Sequence, residues 1–155
     1  MSLPLREFIQ TFVSRLSSAM GIPFDVEVGD ADERNNVIVH IRTEEDAHIL
    51  IGKNGQNLGA LEQLIRAACY RQVGADRRIV VDVNDYRKTR SDQLVTMVRQ
   101  VVSRVRDTQN SQALLPMVPY ERRIIHTELA SYTDVTSESI GDEPHRRVVI
   151  KPLAL

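Results

Sequence analysis

Residues 51–65, IGKNGQNLGALEQLI, pass from an apolar segment through Gly52-Lys53-Asn54-Gly55 into a second apolar segment. Beyond the glycines, Leu58, Leu61, Leu64, Ile65, Ala68 and Cys69 recur at helical spacing, and Gly74 supplies a stop. Gly59 sits inside that pattern, at a cost of roughly 1 kcal/mol relative to alanine. Before the glycines, TEEDAHILIG predicts a short helix with Thr43 as N-cap and Glu44, Glu45 and Asp46 at the positive end of its dipole. The stretch is therefore two helices joined by a glycine-bounded turn, and its neighbours decide what that turn is for.

Working outward, Leu5, Phe8, Ile9, Phe12, Val13, Leu16 and Met20 define an amphipathic helix that Gly21 and Pro23 stop. PFDVEV and NVIVHI alternate or run β-branched and predict an antiparallel hairpin, with the polar Gly29–Asn36 segment as its loop. RRIVVDV, after Gly74, reads as a buried strand. The order is helix, strand, strand, helix, turn, helix, strand. Residues 86–107 then carry the longest helical stripe, Leu94, Val98, Val101, Val102 and Val105. ALLPMV is a short extended piece, and Pro119 suits the first position of a helix through YERRIIHTELASY, where its missing N–H would lack a partner anyway. DVTSESIG and HRRVVIKP predict two strands around a Gly141–Pro144 turn. The fold class expected is α/β in the layered α+β sense, in two small domains, 1–85 and 86–155, meeting near Asp85–Arg87.

Gly52-Lys53-Asn54-Gly55 is not a nucleoside-triphosphate loop, which requires G-x-x-x-x-G-K-[ST] after a strand. Taken alone, G-x-x-G also fits a plain interhelical turn. Placed between two helices and after helix-strand-strand, it matches the clamp of a type II KH domain (αββααβ), which holds the backbone of about four nucleotides. Terminal glycines let the chain turn without a side chain in the way, Lys53 adds a charge, and the next helix presents its positive end to phosphate.

In YERRIIHTEL, Arg122 and His126 stand four apart, one turn apart on one helical face. A guanidinium fork binds phosphate oxygens, and an imidazole can donate to the same backbone or to a base edge. A random Arg-x-x-x-His pair is more often a solvated charge beside a surface histidine. The company of Arg123, Arg146, Arg147 and Lys151 raises this one. Arg146 and Arg147 point to opposite faces of their strand, so at most one shares a surface with the helix and the other is expected to pair with an acidic neighbour.

Length and composition set the outer limits. The 155 residues, 42% hydrophobic and 26% charged, suit a soluble protein with a real core. No apolar run is long enough to span a bilayer and no signal-peptide pattern opens the chain, so no membrane insertion is expected. The single cysteine, Cys69, excludes an intramolecular disulfide and a multi-cysteine zinc site, which makes a reducing cytoplasm the expected location. It lies on an apolar stripe and reads as core. His40, His48 and His145 are scattered without a second ligand at i+4, so no metal and no cofactor is expected, and no catalytic constellation emerges. Charge is uneven: residues 1–86 hold 9 Lys+Arg against 13 Asp+Glu, and residues 87–155 hold 11 against 8. The basic second half suits an anionic partner.

With LIGKNGQNLGALEQLI, PYERRIIHTEL and GDEPHRRVVIKP in this order, nearly the whole chain resembles the bacterial Jag (SpoIIIJ-associated) family, a KH domain joined to an R-3-H (Arg-x-x-x-His) domain. The resemblance implies a single-stranded nucleic-acid-binding protein of the bacterial cytoplasm, with RNA as the expected ligand and DNA not excluded. It also implies links to a membrane-protein insertase, to a small KH-only partner protein and to control of cell elongation or sporulation. On this resemblance the KH clamp falls on Gly52, Lys53, Asn54 and Gly55 and the second motif on Arg122 and His126. Asn54 stands where many KH loops carry a second basic residue, and longer members carry a further N-terminal domain with no counterpart in this sequence. The alternative, which the acidic first half favours, is an interaction scaffold whose KH fold dimerises with itself or another KH protein.

Overall fold

In the computed structural model, residues 3–30, 36–74 and 78–153 are described. The chain divides into two compact units, Met1–Arg87 and Lys88–Leu155.

The first unit runs α1 (Leu3–Met20), β1 (Asp25–Val28), β2 (Val37–Arg42), α2 (Ala47–Ile51), a single 3-10 turn (Lys53–Gly55), α3 (Gln56–Val73) and β3 (Ile79–Val83). This is the element order expected from the hydrophobic spacing. The strands form one sheet in the order β1-β2-β3, with β1 antiparallel to β2 and β2 parallel to β3. Period-2 alternation puts Val37, Val39 and Ile41 of β2 and Ile79, Val81 and Val83 of β3 on one buried face. Leu5, Ile9 and Val13 of α1 and Leu58, Leu61, Ile65 and Cys69 of α3 complete that core. Burial pushes the Cys69 thiol up from its ordinary pKa, as suits a core residue rather than a nucleophile.

Two expected inner-face residues are not inside: Met20 is 43% and Leu64 47% exposed. Met20 is the last residue of α1, and Leu64 lies on the shoulder of a stripe whose buried members are Leu58, Leu61, Ile65 and Cys69. Residues 31–35 of the hairpin loop lie outside the described residues. Thr43 does not cap α2. Its hydroxyl donates to the Pro23 carbonyl at 3.1 Å, while its N–H donates to Asn84 Oδ1 at 3.2 Å and its carbonyl accepts Asn84 Nδ2 at 2.7 Å. The helix begins beyond Asp46, which makes no side-chain capping bond, so none of the three acidic residues lies in its first turn. Edge strand β3 is covered by a side chain: the Val81 N–H donates to Glu62 Oε1 at 3.0 Å, and the Glu62 carboxylate also receives Arg87.

The second unit is built from α4 (Tyr86–Thr108, whose first residues belong to the other unit), β4 (Gln112–Ala113), α5 (Pro119–Leu129), β5 (Val135–Ile140) and β6 (Arg147–Pro152). Its sheet has the order β4-β6-β5, antiparallel throughout. The α4 stripe Leu94, Val98, Val101, Val102 and Val105 is buried as a whole, against Ile125 and Leu129 of α5 and Val135, Val148 and Ile150 of the sheet. Pro119 opens α5, and Val118 before it is extended. No helix among the described residues is long and apolar enough to cross a membrane.

Candidate nucleic-acid interface

The glycine turn of the first unit is held in a shape that only its own residue types allow. Gly52 has φ 69° and ψ −179°, a region essentially confined to glycine. A Cβ there would lie 2.5 Å from Cγ of Asn57. Asn57 occupies that space because its Nδ2 donates to the Ile49 carbonyl at 2.7 Å, tying α3 back to α2 across the turn. Asn54 (φ 52°) and Gly55 (φ 78°) are left-handed. Asparagine tolerates that region far better than lysine or arginine, which accounts for an amide at this position. Lys53 is exposed at the tip, and Gly55 caps α3 without a side-chain hydrogen bond. Gly52, Lys53, Asn54 and Gly55 thus form one exposed or half-exposed turn with a single positive side chain.

In the second unit, α5 turns one face toward β5 and the β5–β6 turn. Arg122, Arg123 and His126 of α5, Ser139 of β5 and Arg146 before β6 line a shallow pocket of about 600 Å³. Arg123 and Arg146 are exposed. Arg122 is not: its side chain is 10% exposed, Nη1 donates to the Met117 carbonyl at 2.8 Å, and Nη2 lies 2.7 Å from Glu143 Oε1. The expected open guanidinium fork is therefore an anchored one. It ties α5 to the β5–β6 turn through Glu143, a residue the spacing argument did not single out.

His126 is half-buried, with Nδ1 2.8 Å from Ser137 Oγ and Nε2 2.8 Å from Ser139 Oγ. In the neutral ring one nitrogen donates to a serine and the other accepts a serine O–H. Burial, and next the Arg122 cation, lower the His126 pKa below its ordinary 6.5. The two serines stand two apart on β5, on the face whose position 135 is a buried valine. Polar residues at inward parity were the available signal that a polar group faces them.

A pH dependence follows. Above the ordinary histidine pKa both the folded and the unfolded ring are neutral, and stability is at its full value. As pH falls below that value, the unfolded chain takes up a proton that the folded ring resists, so stability declines until the lowered folded pKa is passed. Urea unfolding of wild type and His126→Gln at pH 7.5 and in steps downward from the ordinary value is expected to show a larger decline for wild type. Equal declines would mean that the ring is not held neutral by this site.

Arg147 and Lys151 do not join the pocket. The register pairs Ser137 with Ile150 and Ser139 with Val148, so the even positions of β6 share the His126 side of the sheet and Arg147 and Lys151 take the other. Lys151 pairs there with Glu138. Arg147, expected to pair with an acid, makes no ion pair among the described residues. Arg146 is the member of the dipeptide that shares the helix surface. Below α5, the buried Glu121 accepts Arg90 Nε at 2.6 Å, a support that sequence reasoning missed. Among the described residues no group of three or more His, Cys, Asp or Glu could hold a metal ion.

The fold is that of a mixed α/β protein, and within its second unit residues 92–152 match the family model of the R-3-H domain. The chain is 34% identical over 139 residues to RNA-binding protein KhpB of Clostridium symbiosum, covering 90% of this chain and 62% of that protein. It is 34% identical over 141 residues to the KhpB of Bacillus subtilis, covering 90% and 66%. The KhpB of Streptococcus pneumoniae is 35% identical over 117 residues, 76% of this chain and 35% of that protein. The chain thus spans 62% and 66% of the first two relatives' own lengths.

Proposed function

We propose that the chain binds single-stranded RNA through two backbone-gripping sites and has no catalytic role. The first is a type II KH domain over residues 1–85, clamping phosphate at Gly52-Lys53-Asn54-Gly55. The second is the R-3-H domain of residues 86–155, with Arg122, Arg123, His126 and Arg146 around one anion pocket. The observation that carries the reading is that pocket, three arginines and a histidine lining one concavity, inside the segment that matches the R-3-H domain. The relatives are RNA-binding proteins, which supplies the ligand class. The αββααβ order and the glycine-only geometry of the turn support the KH assignment. Resemblance to the Jag family adds a bacterial cytoplasmic setting and a small KH-only protein as a candidate partner. Arg147 and Lys151, on the far face of the sheet, are left out of the site.

Two tethered sites on one strand raise each other's effective concentration, so weak grips add up. With roughly four to six phosphate contacts, affinity should fall with salt at ~0.7 log unit per contact per log unit of salt. The test is fluorescence anisotropy of an unstructured RNA over a salt series, for wild type, Lys53→Glu and Arg123→Ala/Arg146→Ala. Each removed contact is expected to weaken binding and flatten the slope by ~0.7. Wild-type binding that none of these changes weakens would refute both sites. Tighter binding to the same sequence as DNA would overturn the RNA assignment and leave the sites in place. If wild type binds neither, the scaffold reading takes over.

A further inference from the structure

We propose that the groove between α4 and α5 is a nucleobase subsite of the second unit. The proposal rests on the RNA-binding reading above and adds where a base goes when its phosphate occupies the arginine–histidine pocket. The groove holds about 400 Å³ and is walled by Val95 of α4 and by Tyr120 and Ile124 of α5, with Ser91, Arg123 and Thr127 at its edges. Tyr120 is 41% exposed, a large aromatic surface on a protein that has few.

Helical geometry sets the relation between groove and pocket. Pro119, Arg122 and His126 of α5, and Ala130 just beyond it, face the anion pocket, whereas Tyr120 and Ile124 of α5, and Ser131 beyond it, face the groove. With every α5 residue that lines each concavity counted, Arg123, Thr127 and Glu128 included, the two faces are centred about 100° apart, or roughly 10 Å around a helix of ordinary diameter. That is the scale of a single nucleotide. Arg123 and Thr127 line both concavities and form the ridge between them. The pocket is cationic, while the groove is apolar and has Glu128 at its far end, held by Arg99 at 3.1 Å. A carboxylate there repels phosphate and can accept an N–H from a base. An anion pocket running over a cationic ridge into a mainly apolar slot with an aromatic wall is the profile of a nucleotide, phosphate on one side and base on the other. Stacking on Tyr120, with the Arg123 guanidinium over the ridge, accepts any base, because every base has a π-face.

The experiment compares binding of an intact RNA oligonucleotide and of an abasic strand with the same sugar–phosphate backbone, to the 155-residue wild-type chain, Tyr120→Ala and Tyr120→Phe. Tyr120→Ala is expected to weaken binding of the intact strand about tenfold. The abasic strand should distinguish Tyr120→Ala from wild type by less than about twofold. Tyr120→Phe keeps the ring and should match wild type on both strands. Circular-dichroism melts confirm that the variants fold. The proposal fails if Tyr120→Ala binds the intact strand as wild type does, which would leave the groove to some other partner. It also fails if both strands weaken equally, since Tyr120 would then be serving the backbone. If wild type binds neither strand, the RNA-binding reading itself has failed, an outcome distinct from both.

Discussion

Arg90→Met is expected to destabilise the second unit by about 3–4 kcal/mol, because it leaves the Glu121 carboxylate buried without its cation. Glu121 is 1% exposed, and Arg90 Nε reaches its Oε1 at 2.6 Å. Its other oxygen, Oε2, is buried and has no hydrogen-bond partner among the described residues. A methionine keeps the aliphatic packing of the arginine stem and removes the charge alone. The double variant Arg90→Met/Glu121→Leu should recover most of the loss, since a buried ion pair and an apolar pair of similar volume are nearly equivalent in stability. Arg99→Met serves as the contrast: Arg99 is 65% exposed where it meets Glu128, and its removal should change stability by less than about 1 kcal/mol. Guanidinium unfolding, read alongside amide exchange in α5, measures all three. A single-variant loss below about 1 kcal/mol would show that Glu121 does not depend on Arg90.

In the first unit the largest effect is expected at Gly52. Alanine there must adopt φ 69° and ψ −179°, at a cost of about 1–3 kcal/mol, and its Cβ must displace the Asn57 amide. Losing the Asn57–Ile49 hydrogen bond adds about 1 kcal/mol. The sum is a loss of about 2–4 kcal/mol, centred on the α2–α3 junction. Gly59→Ala is the matching control, since a Cβ at that helical position meets nothing within 4 Å. It should stabilise α3 by about 0.5–1 kcal/mol. Urea midpoints of the two variants should therefore move in opposite directions. If Gly52→Ala unfolds with wild type, the turn is not held as described.

Much of this architecture can be read from the chain. The α4 stripe is legible because five apolar residues keep a helical period over a long helix, and the whole stripe is buried. Arg122 and His126 are legible as a pair because helical geometry alone puts residues four apart on one side. The splitting of Arg146 from Arg147 follows from strand alternation, and extending the same parity would have placed Lys151 with Arg147. What does not show is whatever depends on a distant partner. Thr43 looks like a cap until Asn84, 41 residues away, takes both its backbone groups. Arg122 looks like an exposed fork until the Met117 carbonyl and Glu143 close on it. Glu121 lies in the first turn of α5 and is also a buried partner of Arg90, 31 residues away, which spacing does not show. Local spacing predicts faces, whereas burial of a charge is decided by chain segments that spacing does not connect.

The contact between Arg122 and Glu143 alters how the cations of the second unit should be counted. A phosphate that reaches Arg123 or Arg146 sets a salt ion loose into solution, and that release is what makes affinity salt-dependent. A phosphate that takes over Arg122 displaces the Glu143 carboxylate fixed to the same chain, and the freed carboxylate takes up the cation that the phosphate gives up, so no net ion reaches the solvent. Arg122 can therefore contribute to affinity while leaving no trace in the salt slope. A slope smaller than the number of cations lining the pocket is what a built-in counterion produces.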